Sequence, residues 1–321
     1  MKIELSEAIE FLTTHDSYLI LMHANPDGDT LGCGSALCGA LQLLGKKARV
    51  QCPDYIPARF DYMKKAYEEQ DFEPENIICV DIADTKLLGD LKEVGDRAEL
   101  CFDHHVSNTG YAKRLVLRED YAAAAELIYE VVAALGVTIT VPIANALYTG
   151  IATDTGCFKF SNTTPQTHIY AAKLIELGAE FVEINYVMFD LRTPGRMKLE
   201  QAVLNNIKYY GEGHVALIFT SYEMINSIVD IDSDDIGALA ALPRKIQGVD
   251  IGISIKERKK GVYKASLRSS QAIDVSKICA QFGGGGHERA AGCSFEGMTY
   301  EQAEKTISEA CVEACRKAGL I

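Results

Sequence analysis

The chain has 321 residues, enough for about two domains of ~150 residues each. Apolar residues make up 48% of it, so a sizeable core can form, while a formal net charge of −13 argues against a protein that coats long nucleic acid through many phosphate contacts. No apolar run reaches the ~18 residues of a membrane span, and Met1 to Ser17 lacks the basic start and apolar centre of a signal peptide, so a soluble, cytoplasmic protein without a membrane partner is expected. Ten cysteines at no zinc-like spacing read as reduced thiols.

Ser6 begins an amphipathic helix with Leu5, Ala8, Ile9 and Leu12 at helical spacing. Tyr18 to Met22 is an unbroken apolar run, the pattern of a strand buried on both faces, and it ends in His23, Asp27 and Asp29. The two aspartates lie two residues apart, so in extended backbone both carboxylates point the same way. Asn25 to Asp29 is also good turn chemistry, so taken alone the stretch fits either a turn or a divalent metal. Gly32 and Gly34 lead into a helix over Ser35 to Leu44, stopped at Gly45. Ala48 to Cys52 reads as the next strand, followed by a loop from Pro53 to Pro57 and a polar helix. Asn76 to Val80 is a second buried strand ending on an acid, Asp81, with Asp84 just beyond, and Leu87 to Leu91 is a short helix. Ala98 to Phe102 is a third, ending in Asp103, His104 and His105. Strands alternating with helical patterns imply a parallel sheet with right-handed crossovers.

Tyr121 to Leu135 is an Ala-rich helix, and Pro142 to Thr153 is an apolar helix that delivers Asp154. Thr167 to Leu177 and Phe181 to Phe189 look helical, and Thr193 to Tyr210 reads as a connecting helix. The pattern then restarts with a strand at His214 to Thr220, helices at Ser221 to Val229 and Asp235 to Leu242, and a hairpin of Val249 to Glu257 with Val262 to Arg268. That hairpin carries Lys256, Arg258, Lys259, Lys260, Lys264 and Arg268, a local reversal of the acidic balance. A helix over Asp274 to Gln281 leads to Gly283, Gly284, Gly285, Gly286 and His287, and Thr299 with Gln302 can cap the closing helix. The fold class is therefore α/β: a mostly parallel sheet flanked by helices over 1–190, a helical linker over 191–210, and a smaller α/β domain over 211–321.

Polar residues thus terminate several apolar elements, and burying that many carboxylates together is prohibitive unless cations neutralise them. Oxygen and imidazole ligands suit manganese, magnesium or iron rather than a thiolate metal. Two-metal sites with ions ~3.5 to 4 Å apart generate a nucleophile from water and clamp an in-line phosphoryl displacement. The glycine run has a high conformational entropy cost, so it implies positive φ or a close backbone approach, either to a neighbouring element or to a ligand phosphate or base.

At these residues the chain resembles the DHH phosphoesterase superfamily, named for the triplet that stands here as Asp103-His104-His105. His23 to Asp29, Val80-Asp81, Asp103 to His105 and Gly150 to Gly156 correspond to its motifs in order, and Arg268 to Ser270 with Gly283 to Gly292 resembles the DHH-associated domain. The length and two-domain organisation look most like the bacterial nanoRNase and adenosine 3′,5′-bisphosphate phosphatase subgroup. The resemblance implies two divalent cations, manganese first and magnesium as the alternative. His23, Asp27 and Asp81 would hold one; Asp29, Asp81, His104 and Asp154 would hold the other, with Asp81 bridging. His105 would face the substrate phosphate or stand behind the metal ligands, Asp103 would orient a neighbouring histidine, and Asp84 would at most support the site. Arg268, Gly284, Gly285, Gly286 and His287 would grip the rest of the substrate. The implied substrates are short RNA or DNA oligonucleotides or a nucleoside bisphosphate, and a homodimer stays open. An inorganic pyrophosphatase-like enzyme and a non-catalytic, metal-dependent nucleotide-binding protein are the rival readings.

Overall fold

A computed structural model describes residues 1–229, 231, 233–270 and 273–321, with the side chains of 233 and 234 left out of account. The chain forms two compact units, Met1–Leu191 and Arg192–Ile321.

The first unit is built on five parallel strands: β1 (Tyr18–Leu21), β2 (Ala48–Gln51), β3 (Asn76–Val80), β4 (Leu100–Asp103) and β5 (Arg114–Leu117). Their spatial order is β2-β1-β3-β4-β5. Every residue of β1, β3 and β4 is buried, which is why these strands read as unbroken apolar runs. The chain leaves β1 toward β2 on one side and leaves β3 toward β4 on the other, so the carboxyl ends of β1 and β3 flank a topological switch point, where open α/β sheets bind ligands. The Gly28–Leu43 helix lies against the Val141–Asp154 helix. Their approach is close enough that a Cβ on Gly32 would fall 2.3 Å from the Ala146 carbonyl oxygen.

The second unit carries β6 (Lys208–Tyr210), β7 (Val215–Thr220), β8 (Ile251–Lys259), β9 (Val262–Ser269), β10 (Gly285–His287) and β11 (Ala290–Glu296). The order is β10-β11-β9-β8-β7-β6; β7 and β8 run parallel and the other pairs antiparallel. The Tyr300–Lys317 helix buries Ala303, Ile307, Cys311 and Cys315 against this sheet, and Thr299 with Gln302 caps it as the sequence predicts. No helix among the described residues is long and apolar enough to cross a membrane.

Several elements differ from the sequence reading: β5 is not anticipated by it, and the helix expected from Tyr121 starts at Ala124. The helix expected over Thr193 to Tyr210 ends at Asn205, and Lys208–Tyr210 becomes an edge strand. The Gly-rich stretch is partly strand, because β10 folds back on β11. The helix expected from Ser35 starts at Gly28, so Asp29 lies inside its first turn rather than in extended backbone. Asp27 and Asp29 are therefore not two like-pointing side chains of one strand: one caps a helix and the other belongs to it.

Candidate metal centre

Each candidate ligand is placed by the end of an element. His23 follows β1; its Nδ1 faces the Ala24 carbonyl at 2.9 Å, which turns Nε2 toward Asp27 Oδ1 and Asp81 Oδ2, both at 3.6 Å. Its backbone N–H donates to Thr30 Oγ1 at 3.3 Å, and Thr30 donates to the Val80 carbonyl at 3.2 Å, tying the end of β1 to the end of β3. Asp27 is the N-cap of the Gly28–Leu43 helix and accepts from the N–H groups of Asp29 and Thr30 at 3.0 and 3.2 Å. The turn chemistry of the sequence is realised in this residue, whose Oδ1 also stands 3.6 Å from His23 Nε2.

Asp29 is fully buried and reaches the N-terminus of a second helix, Ala124–Ala134. Its Oδ2 accepts from the Ala124 N–H at 2.7 Å and its Oδ1 from the Ala125 N–H at 2.9 Å. That helix has no capping side chain of its own, since Ala123 occupies the cap position. The missing cap in an Ala-rich run is the sequence signal for this interaction.

Asp81 leaves β3 with φ 58°, left-handed backbone that aspartate tolerates better than most residues. Its N–H donates to the Phe102 carbonyl at 2.9 Å. This turn aims Oδ2 at His23 and Oδ1 at His104 Nε2 and His105 Nδ1, each 3.5 Å away. His104 Nδ1 faces the Tyr121 carbonyl at 3.1 Å, so Nε2 points inward, 3.3 Å from Asp154 Oδ2 and 3.8 Å from Asp29 Oδ2. Asp154 is the last residue of its helix, where the carbonyl ends disfavour a carboxylate.

Three overlapping groups emerge: His23, Asp27 and Asp81; Asp29, His104 and Asp154; and Asp81, His104 and His105. Several observations show that cations fit here. Asp81 Oδ1 and His104 Nε2 are buried without a hydrogen-bond partner. The spacings of 3.3 to 3.8 Å between carboxylate oxygens and imidazole nitrogens are long for hydrogen bonds. Ligands about 2.1 Å from one ion and at right angles lie about 3.0 Å apart, a separation these groups approach. Burial, with the neighbouring charges of Asp29 and Asp27, pushes Asp154 up to about 8. Burial also pushes Asp81 up to about 7, with the Asp27 charge acting in the same direction. Asp29 is raised by burial and by the charges of Asp81 and Asp27. Such crowding is relieved by positive charge of the metal-ion kind.

Asp103 and His105 form a pair beside this cluster. The buried Asp103 Oδ1 accepts from the backbone N–H groups of His104 and His105 and from His105 Nδ1, the last at 2.8 Å, and Oδ2 accepts from Asn108 at 2.6 Å. Burial opposes ionisation of Asp103, but these hydrogen bonds outweigh it and hold the carboxyl below its ordinary range. The Asp103 hydrogen bond pushes the His105 imidazole up to about 9, and its ring remains substantially exposed. Asp84 stands apart: it caps the turn Thr85–Leu91 by accepting from the Lys86 N–H at 2.9 Å.

In the second unit, Arg268, Gly284 and Gly285 line a pocket of about 430 Å³. The glycines differ in role. A Cβ on Gly284 would lie 2.2 Å from the Gly292 carbonyl oxygen, and Gly286 has φ 142° with Ala290 O 2.5 Å from where its Cβ would be. Gly285 faces open space. His287 is exposed at the end of β10 and does not line the pocket.

Comparison with known proteins assigns the same two parts. The DHH family, N-terminal domain, matches residues 17–151, and the DHHA1 domain matches residues 221–316. A protein of Thermus thermophilus named bifunctional oligoribonuclease and PAP phosphatase NrnA is 30% identical over 94% of this chain and 91% of its own length. A protein of the same name from Mycoplasma genitalium is 28% identical over 90% of this chain and 91% of its own. An exopolyphosphatase-related protein from Bacteroides fragilis shares the fold, with a TM-score of 0.86 at 24% identity over 98% of this chain and 96% of that one.

Proposed function

The chain belongs to the DHH family, and from that premise we propose that it is a metal-dependent phosphoesterase, hydrolysing short oligonucleotides to nucleoside monophosphates and adenosine 3′,5′-bisphosphate to AMP. The relatives named for both activities align along nearly their whole length. The observation that carries the reading is the convergence of His23, Asp27, Asp29, Asp81, His104 and Asp154 at the switch point, with the orphaned Asp81 Oδ1 and His104 Nε2 between them.

His23, Asp27 and Asp81 would hold one divalent cation, and Asp29, Asp81, His104 and Asp154 would hold the other. Manganese suits this mixture of carboxylate and imidazole, and magnesium is the alternative. Such a pair, when bound, activates water and neutralises phosphoryl oxygens. Asp103 fixes His105 with Nδ1–H directed at its carboxylate, leaving Nε2 to hold a proton against a phosphoryl oxygen. Arg268, with Gly284 to Gly286 and His287 nearby in sequence, takes the part of the substrate away from the scissile bond. A cytoplasmic setting, where thiols stay reduced, suits the ten free cysteines.

The test offers the manganese-loaded protein a trinucleotide, a linear dinucleotide, adenosine 3′,5′-bisphosphate, pyrophosphate and a long single strand. Cleavage of the short substrates, lost in Asp81→Ala, is expected. Hydrolysis of pyrophosphate alone, or of nothing, overturns the reading in favour of a pyrophosphatase-like enzyme or a non-catalytic binder.

A further inference from the structure

The basic residues of the second unit's hairpin are ordered by the sheet. Along β9, Lys264, Ser266 and Arg268 alternate onto one face, and all three line the 430 Å³ pocket. The register sets Lys256 of β8 directly opposite Lys264, and Gly292 and Ser294 of β11 opposite Ser266 and Lys264. Small residues thus flank the cations and leave the face open. The Lys264 stem is itself laid down: its Cε lies 3.8 Å from where a Cβ on Gly292 would be. No carboxylate among the described residues pairs with Lys256, Lys264 or Arg268. Burial and the charges of Arg258 and Lys264 lower the Lys256 pKa, the mark of a like-charge cluster that an anion would relieve.

Four residue steps along the strand take Lys264 to Arg268, about 14 Å at ~3.4 Å per residue, more than a single phosphate needs. We propose that Lys264 and Lys256 extend the Arg268 pocket into a lane for the additional phosphates of tri- and tetranucleotides, making Lys264 the residue that sets how substrate length is ranked. This rests on the oligonucleotide reading above and adds to it a residue that ranks substrates within that class. The Ser266 hydroxyl supplies a donor between Lys264 and Arg268 and that of Ser294 one beside Lys264, and the lane needs no base-specific recognition.

Calorimetric titration of the full chain in EDTA, where metal-dependent cleavage is blocked, measures binding of di-, tri- and tetranucleotides to the wild type, Lys264→Ser and Lys264→Arg. Lys264→Ser is expected to bind the tetranucleotide about tenfold more weakly relative to the dinucleotide than the wild type does, with a salt slope shallower by about 0.7, the value of one neutralised phosphate on a single strand. Lys264→Arg, which keeps the charge and controls for folding, should keep the wild-type ranking. An equal loss at every length, or none, overturns the lane. Dinucleotide turnover with manganese, run in parallel, tests the function separately: its absence sinks the phosphoesterase reading, whereas a flat length ranking sinks only the lane.

Discussion

Asp29 caps a helix that begins at Ala124, far away in sequence: its carboxylate takes hydrogen bonds of 2.7 and 2.9 Å from the N–H groups of Ala124 and Ala125 while facing His104 at 3.8 Å. One side chain therefore joins the start of the Ala124–Ala134 helix to the candidate metal centre. Asp29→Ala should expose that helix end, lowering unfolding free energy by about 1–2 kcal/mol in EDTA, as read by urea denaturation. Asp29→Asn keeps an acceptor and should fold better than Asp29→Ala, yet lose about 100-fold or more in kcat. A fully active Asp29→Asn would remove this residue from the ligand set.

The Asp103–His105 pair gives a pH prediction. The Asp103 carboxylate pushes His105 up to about 9, so the ring stays protonated at neutral pH and loses its proton as pH rises past that value. Activity that depends on this proton should fall on the alkaline side near pH 9. Asp103→Asn removes the anionic partner and should move the limb down toward the ordinary imidazole value of about 6.5. A pH–kcat profile that is unchanged in Asp103→Asn would refute the pairing's role.

The glycine run predicts a split between stability and binding. Gly284→Ala and Gly286→Ala drive a methyl group into the β11 backbone and should lower unfolding free energy by about 1–3 kcal/mol. Gly285→Ala meets nothing within 4 Å and should fold normally while raising KM for short oligonucleotides. Thermal melts and steady-state kinetics on the three variants separate the outcomes.

Acid stability of the second unit should depend on Asp250. Burial opposes ionisation there, but His214 Nδ1 and Ser270 Oγ, each at 2.8 Å, outweigh it and hold the carboxyl below its ordinary range. A folded pKa below the unfolded value of about 3.9 adds stability that is complete above the unfolded pKa and disappears as pH falls through the folded one. Asp250→Asn should therefore lose stability at pH 7 and show a weaker acid dependence between pH 5 and 3. Equal urea midpoints for the two proteins across that range would contradict this.

The ends of β1, β3 and β4 were legible in sequence because strand burial is written as apolar runs that stop at His23, Asp81 and Asp103. What stayed hidden lies between distant residues. Nothing near Asp29 announces Ala124, and nothing in Asp84 separates a cap from a ligand. The edge strands β5, β6 and β10 are short, and glycine in β10 leaves no alternation to read. The pattern at Thr193 to Tyr210 continues in helical style past Asn205, and pairing of Lys208 to Tyr210 with β7 overrides it.

The left-handed turn at Asp81 carries one more consequence. Its N–H is tied to Phe102 on the neighbouring strand, and its carboxylate meets His104 just after that strand ends. If β3 slipped by one residue against β4, Val80 would stand at the turn and the carboxylate would be lost from the crevice. A mispaired sheet would thus take Asp81 out of the groups it forms with His23 and His104, so the cluster at the crevice is complete only in the native strand register.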